Sequence, residues 1–414
     1  MSYRFIRVTN NYPEYLCDFY NRHPDAQSMS YKDQHKQLVE DSIEVASAYV
    51  KNLNKIEGIS AVELITNAEI LQETWRKEQN ISVNITKKDL VLLQIKDFIP
   101  DVVWLDDLSL LDEDWKSKLL KEVPSIKLFI GHHCAPSNPK LIESLKLFDV
   151  LFTCTPSLEV GFKELGINSF LMYHGFEESI LENIDKVNHY DKSDFLFTGS
   201  LISGAGFHKT RIDYIESLLK ASVNMSLYCN LEKKSKIAVK KIFYNLIVIL
   251  HKIGLEKIID LVPFLKKHKA FGGESVHFYS KNLLNSTRLP VFGYEMYKVL
   301  SQSKICFNIH GEVAGKSAGN IRLFEATGVG SCLVTDWKEN IATLFEPGKE
   351  IVTYKNKEDC IEKVKWLLDN PKERDRIAKA GQKRTLENHT IAKRAELLNS
   401  VILAEIKKRG NIHV

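Results

Sequence analysis

Short β-branched runs alternate with longer amphipathic stretches from the start of the chain to about residue 175, and the same alternation begins again near residue 195. Alternation of this kind is the sequence form of βα units and a parallel sheet, and its repetition predicts two such domains. The first series places strands at Phe5–Val8, Val62–Thr66, Val102–Leu105, Lys127–Ile130, Val150–Cys154 and Ser169–Met172. The second places them at Phe195–Thr198, Ser226–Tyr228, Ser275–Phe278, Ile305–Ile309, Ser331–Thr335 and Ile351–Thr353. The longest helical stretch in the first series runs from Lys32 to Ile56, where Leu38, Ile43, Val45, Ala46, Tyr49, Val50 and Leu53 approximate one apolar face. The polar segment 177–194 separates the two series and reads as a linker. Two βα domains of similar size leave a cleft between them, a common place for a small-molecule site.

With 414 residues the chain can bury a large core without disulfides or metals. Its seven cysteines stand singly with no CxxC pair, the usage of a reduced compartment. The N-terminus has no charged segment leading into an apolar one, and the longest apolar run, Phe243–Leu250, is far short of the ~20 residues that span a bilayer. A cytoplasmic location is expected. The net charge of +4 is too small for a surface devoted to nucleic acid. The excess is local: residues 231–270 hold ten Lys and three acidic residues, +7, which leaves −3 for the rest. This basic insertion fits either an amphipathic element lying on anionic lipid or a solvated helix pair over a satellite core.

The stretch Lys304–Asp336 carries the most chemistry. A strand runs into a loop with glycines at 311, 315 and 319, and a helical pattern follows from about Asn320. Unpaired amide N–H groups and the helix dipole make such a place suited to a phosphate-bearing ligand. His310 stands at the end of that strand and counts among its candidate ligands. The substring GEVAGKS is one residue too short for a nucleotide-triphosphate loop. One turn into the helix is Glu325, with Arg322 and Asn320 before it. The carboxylate is able to accept from both hydroxyls of a ribose diol, and Arg322 to offer its fork to phosphate; equally, the two side chains could form a surface ion pair.

The run NIRLFEATGVGSCLVTD, continuing through LFEPGKEIVTY to ERDRIAKAGQKRTLENHT, resembles the C-terminal signature of the group 1 glycosyltransferases, closest to the branch called CgeB-like after a spore-maturation protein. The similarity covers roughly Phe195 to Arg394. It implies a GT-B fold, α/β with two Rossmann-like domains facing across a cleft: residues 1–176 for the acceptor, 195–390 for a nucleotide-sugar donor, and 391–414 as a helix crossing back to the first domain. The implied activity is transfer of a sugar from a nucleoside-diphosphate sugar to a hydroxyl acceptor (saccharide, lipid-linked or protein) in assembly of a bacterial surface glycan or glycosylated product. The donor is a substrate, and no resident cofactor is implied.

Carried over by residue, the resemblance gives Glu325 the donor ribose and Gly319, Asn320 and Arg322 the diphosphate. Gly199, His208, Lys209 and Arg211 match the first loop of the donor domain, which neutralises the pyrophosphate of a departing nucleoside diphosphate without a metal. Where the family often carries a first glutamate this chain has Ser317, and Glu312 is the nearest acid to take its place. In the loop Arg288–Tyr297, Glu295 and the aromatics either flank the nucleotide base or pack in the core. In the first domain, the strand ending in GHHCAP puts His132 and His133 at a cleft-facing end, suited to contact the sugar or deprotonate the acceptor. The other reading has one packed and one hydrogen-bonded. A zinc site from His132, His133 and Cys134 is disfavoured because adjacent residues in an extended segment face different ways. Asp112-Glu113-Asp114 reads as helix N-terminal acids, and no metal is expected in catalysis. The rivals to a transferase are an epimerase or hydrolase of the same fold and a degenerate module for binding or coat assembly.

Overall fold

The computed structural model of the chain describes residues 2–42, 45–135, 137–186, 192–202, 209–232, 234–266, 279–311 and 314–410. Six parallel strands form the first sheet: β1 (Tyr3–Thr9), β2 (Ile59–Ile65), β3 (Val102–Leu105), β4 (Leu128–His132), β5 (Val150–Thr153) and β6 (Ser169–Leu171), in the order β2-β1-β3-β4-β5-β6. The second contains β7 (Ser193–Ser200), β8 (Ser226–Asn230), β9 (Thr287–Arg288), β10 (Ser303–Phe307), β11 (Cys332–Asp336) and β12 (Val352–Tyr354), ordered β12-β11-β10-β7-β8-β9 and also parallel. Continuous apolar strands such as Val102–Leu105 and Val150–Thr153 are buried at every position, as a sheet covered by helices on both faces requires.

Each sheet has a core on either face. On one face of the first, Phe5, Trp104, Ile130 and Phe152 pack with Ile391, Ala395, Leu398, Val401 and Ile402 of the last helix, Ile391–Gly410. The end of the chain therefore completes the first sheet's core, after a long passage through the second. The return is anchored where the N–H of Phe176 donates to His389 O at 2.9 Å and Phe176 O accepts from Ile391 N at 2.9 Å. The carboxyl ends of the two sheets meet: the loop after β10 rests on the end of β5.

Several expectations change in detail. The stretch Lys32–Ile56 forms two helices, Tyr31–Ser42 and Val45–Leu53. The segment Arg288–Tyr297 is only partly a loop, because Arg288 ends β9 and a helix begins at Gly293. The strand expected at Ser275–Phe278 lies outside the described residues.

His389 sits at the crossover between the two halves. Its Nε2 lies 2.9 Å from Leu344 O and its Nδ1 2.9 Å from an Arg394 nitrogen. Arginine only donates, so Nδ1 is the acceptor and the proton is on Nε2. Burial, with Arg394 and Arg384 nearby, holds the imidazole down to about 4. The neutral form is the folded one, so its stabilisation is present above an ordinary histidine's pKa and is lost as pH falls from about 6.5 towards 4. His389→Gln should remove on the order of 2–3 kcal/mol of the destabilisation that wild type suffers between pH 7 and pH 4. Chemical denaturation at both pH values reads the difference, and an unchanged pH slope in the variant defeats the assignment.

Candidate functional site

The site forms where β7, β10 and β11 end. Near the end of β7, Gly199 has φ +153°, and a Cβ there would stand 3.2 Å from the Phe197 ring. Arg211, in the helix Lys209–Lys220, reaches back to this end: Nη1 donates to Ser200 O at 2.9 Å and Nη2 to Ile309 O at 3.2 Å, with the guanidinium over Phe197. Two backbone carbonyls thus fix a positive charge between the ends of β7 and β10.

Past β10, the backbone N–H of His310 donates to Asp336 Oδ1 at 2.9 Å, and its Nδ1 lies 2.7 Å from the same oxygen. Burial raises the Asp336 carboxyl, but His310 and Lys338, 3.3 Å away, outweigh it and hold the group below the usual carboxylate range. The His310 ring is fully enclosed and its Nε2 has no hydrogen-bond partner. A cavity of about 240 Å³ opens here, bounded by Thr210, His310, Gly311, Gly315, Asp336 and Lys338.

Next comes the segment ahead of the helix Arg322–Gly328. The amides of Asn308 and Asn320 bond to each other, at 2.7 and 3.3 Å, which ties the β10 end to the helix start. Ala318 N donates to Asn340 Oδ1 at 2.6 Å. Glu325 is 5% exposed, with Oε2 2.8 Å from Arg322 Nη1 and Oε1 accepting from the Tyr297 hydroxyl at 3.4 Å. The ion pair, one of the two readings the sequence left open, does form, but buried and not on the surface.

This segment is also where the halves touch. A Cβ on Gly319 would overlap the carbonyl oxygen of Cys154 at the end of β5, and Ser317 Oγ lies 3.1 Å from Ser157 Oγ. Ser317, standing where a glutamate was expected, is therefore a contact to the first half.

On the first-sheet side, His132 and His133 face opposite ways. The His133 ring lies near Phe162 with Nε2 3.0 Å from Ser137 Oγ, and burial lowers its basicity. His132 lies among Trp104, His174 and Cys134, with Nε2 3.3 Å from Cys134 Sγ. Burial, reinforced by His174, pushes it down to about 3, so it is neutral.

The structure therefore groups Gly199, Arg211, His310, Gly319, Asn320, Arg322 and Glu325 around the carboxyl ends of the central strands β7 and β10, with His132 at the carboxyl end of β4 in the first sheet. His208 and Glu312 lie outside the described residues, and Lys209 begins its helix with an undescribed side chain. Glu295 is in the first turn of the helix Gly293–Ser301, while Phe292 packs against Tyr15 and Tyr297 is buried. Asp112 caps the helix Glu113–Glu122, accepting from Trp115 N at 2.8 Å. Sequence reading missed Asp336, Lys338 and Asn340. The one signal was that VTD ends a strand beside the phosphate-site strand.

Residues 261–400 match the family described as Glycosyl transferase-like. No curated protein matches the chain by sequence. Among solved structures, HepE from Anabaena in complex with UDP-glucose aligns over 97% of this chain and all of its own, at 9% identity and a TM-score of 0.56. A glycosyltransferase from Rickettsia africae aligns over 98% and 99% of the two chains, at 12% identity and a TM-score of 0.54. AviGT4, a glycosyltransferase of avilamycin A biosynthesis, aligns over 88% of each, at 12% and 0.51. At these identities the likeness establishes the architecture, which is GT-B: two Rossmann-like halves across a cleft.

Gly319→Ala tests the contact between the halves. The new methyl meets a backbone carbonyl, which cannot rotate aside, so we expect a loss of about 1–3 kcal/mol in denaturant unfolding. Ser317→Ala, which removes one hydroxyl contact, should cost about 1 kcal/mol or less. Equal stability of Gly319→Ala and wild type would show that the loop does not rest on β5.

Proposed function

We propose that the chain transfers a sugar from a nucleoside-diphosphate sugar, held by the second half, to a hydroxyl acceptor presented by the first. The observation that carries this is the convergence of a fixed arginine, a glycine-bearing loop and a buried acid at the ends of β7 and β10, facing the first half in a GT-B frame. A departing nucleoside diphosphate gains negative charge, and fixed cations stabilise it more than the intact donor. Arg211 supplies such a charge. The Arg322–Glu325 pair stores the other contacts: on donor binding Arg322 turns to the pyrophosphate and Glu325 accepts from the ribose diol, so each buried charge exchanges one partner for another. His310, fixed by Asp336 at the end of β10, is assigned to the pyrophosphate side of this site. His132 is neutral and suits a contact to the sugar or acceptor.

HepE was solved with UDP-glucose, so uridine donors come first in a thermal-shift panel of nucleotide sugars. Glu325→Ala should weaken the donor that binds by about 10- to 100-fold, the worth of hydrogen bonds to a charged group. Unchanged donor affinity and turnover in that variant defeat the assignment. Incubation with donor alone separates transfer from epimerisation or hydrolysis, since a transferase leaves the sugar nucleotide largely intact without acceptor.

The basic insertion supports a second element of this reading, peripheral contact with an anionic membrane. The helix Lys234–Lys252 puts Ile247 and Leu250 into a small core with Ile259 and Leu265. Its other side exposes Val239, Ile242, Leu246, Ile249 and Ile253, at helical spacing, with Ile242 65% and Ile249 54% exposed. An apolar stripe bordered by Lys236, Lys241 and Lys252 suits the headgroup boundary of an acidic bilayer. No described helix is long and apolar enough to cross a membrane. Wild type should sediment with phosphatidylglycerol vesicles and not with phosphatidylcholine, and I242E/I249E should stay in solution. Equal sedimentation of the variant and wild type rules the stripe out.

A further inference from the structure

Three adjacent strands of the first sheet each deliver one metal-binding side chain at their carboxyl ends. Cys134 lies two residues past β4, Cys154 directly follows β5, and His174 is three residues past β6. Their ligand atoms all lie within 4.8 Å of one another, the one such group of histidine, cysteine and acidic residues among the described residues. Zn–S and Zn–N bonds of about 2.3 and 2.0 Å set tetrahedral ligand atoms about 3.3–3.8 Å apart, so rotamer adjustments of about an ångström close the site.

The surroundings are those of a built site. Cys134 Sγ accepts from the Cys154 backbone N–H at 3.0 Å, the kind of bond that orients a ligating thiolate. The His174 backbone is held by Arg394 Nε, which donates to Tyr173 O and His174 O at 3.0 and 3.2 Å. Tyr173 is held in turn, its hydroxyl accepting from Asn340 Nδ2 at 3.1 Å.

We propose that Cys134, Cys154 and His174 bind one Zn²⁺, with the fourth position left to solvent beside His132. Two thiolates and an imidazole in a small, largely buried set select zinc over hard cations such as Mg²⁺ or Ca²⁺. The ion would fix the end of β5, whose Cys154 carbonyl carries Gly319 of the opposite half. It would thereby set the spacing between the two halves of the cleft.

The 414-residue chain, purified under reducing conditions and dialysed against Zn²⁺ then metal-free buffer, should retain one stoichiometric zinc by plasma mass spectrometry. Replacement with Co²⁺ should give a sulfur-to-metal charge-transfer band and the intense visible bands of a tetrahedral site. Cys134→Ser, Cys154→Ser and His174→Ala should each lose the retained metal, and the first two should weaken the charge-transfer band. Cys17→Ser, on the exposed face of the first helix, should keep both. The cobalt spectrum of wild type is an independent arm that does not depend on any variant folding. No retained zinc and no thiolate band in wild type, a band that survives Cys134→Ser with Cys154→Ser, or a Cys134–Cys154 disulfide as the stable state in the presence of zinc would each overturn the site.

Discussion

The cleft depends on a short parallel bridge at Phe176. Both backbone polar groups of that residue are taken up by the segment His389–Ile391, so the chain's outward and return crossings are tied at one point. The ring does a second task. Gly328 ends the helix that carries Glu325, and a Cβ there would overlap the Phe176 ring; Tyr297, whose hydroxyl reaches Glu325, packs edge-on against that ring at 6.1 Å. The hinge and the donor helix therefore share one side chain.

The buried Arg322–Glu325 pair makes sense in that frame. Removing two charges from water costs several kcal/mol per ion, and such pairs are often no more stabilising than apolar residues of similar volume. Stability alone gives little reason to place it at a helix start. A ligand that carries both a diphosphate and a vicinal diol gives a reason, since it supplies each charge with a new partner at the moment the old one is lost. Arg211 works differently: its bonds to Ser200 O and Ile309 O run to neutral carbonyls and leave its position set by the strands. In the proposed reading one cation is fixed by the strands and the other exchanges partners when the donor binds.

Much of this was legible in the sequence because strand identity follows from local composition. Val102–Leu105 and the starts of β5, β6 and β8 read correctly, since β-branched runs between polar stretches have few other uses. The short β9 did not, because it is two residues at the sheet's edge, Thr287 half-buried and Arg288 exposed, with no apolar run to betray it. The loop after β10 was readable for the same local reason: glycines, an asparagine and an acid at fixed spacing mark a loop entering a helix. What a linear reading cannot supply is partnership across the chain. Asp336 holding His310 and Asn340 holding Ala318 are long-range bonds between residues that are unremarkable where they stand.

The cysteine and histidine cluster shows the same limit from the other side. Testing His132, His133 and Cys134 as one ligand set fails for a sound local reason, because side chains alternate along an extended segment, and His133 does face away towards Phe162. The valid comparison runs across strands. In a parallel sheet, residues at the carboxyl ends of neighbouring strands stand about 4.8 Å apart however far they lie in sequence, so βα loops of similar length bring single residues from each into one cluster. Cys134, Cys154 and His174 follow three neighbouring strands at such ends. Once an α/β fold is inferred, the informative search is therefore for chemistry repeated at strand ends. In this chain that search leads to the same boundary between halves that the glycine loop approaches from the other side.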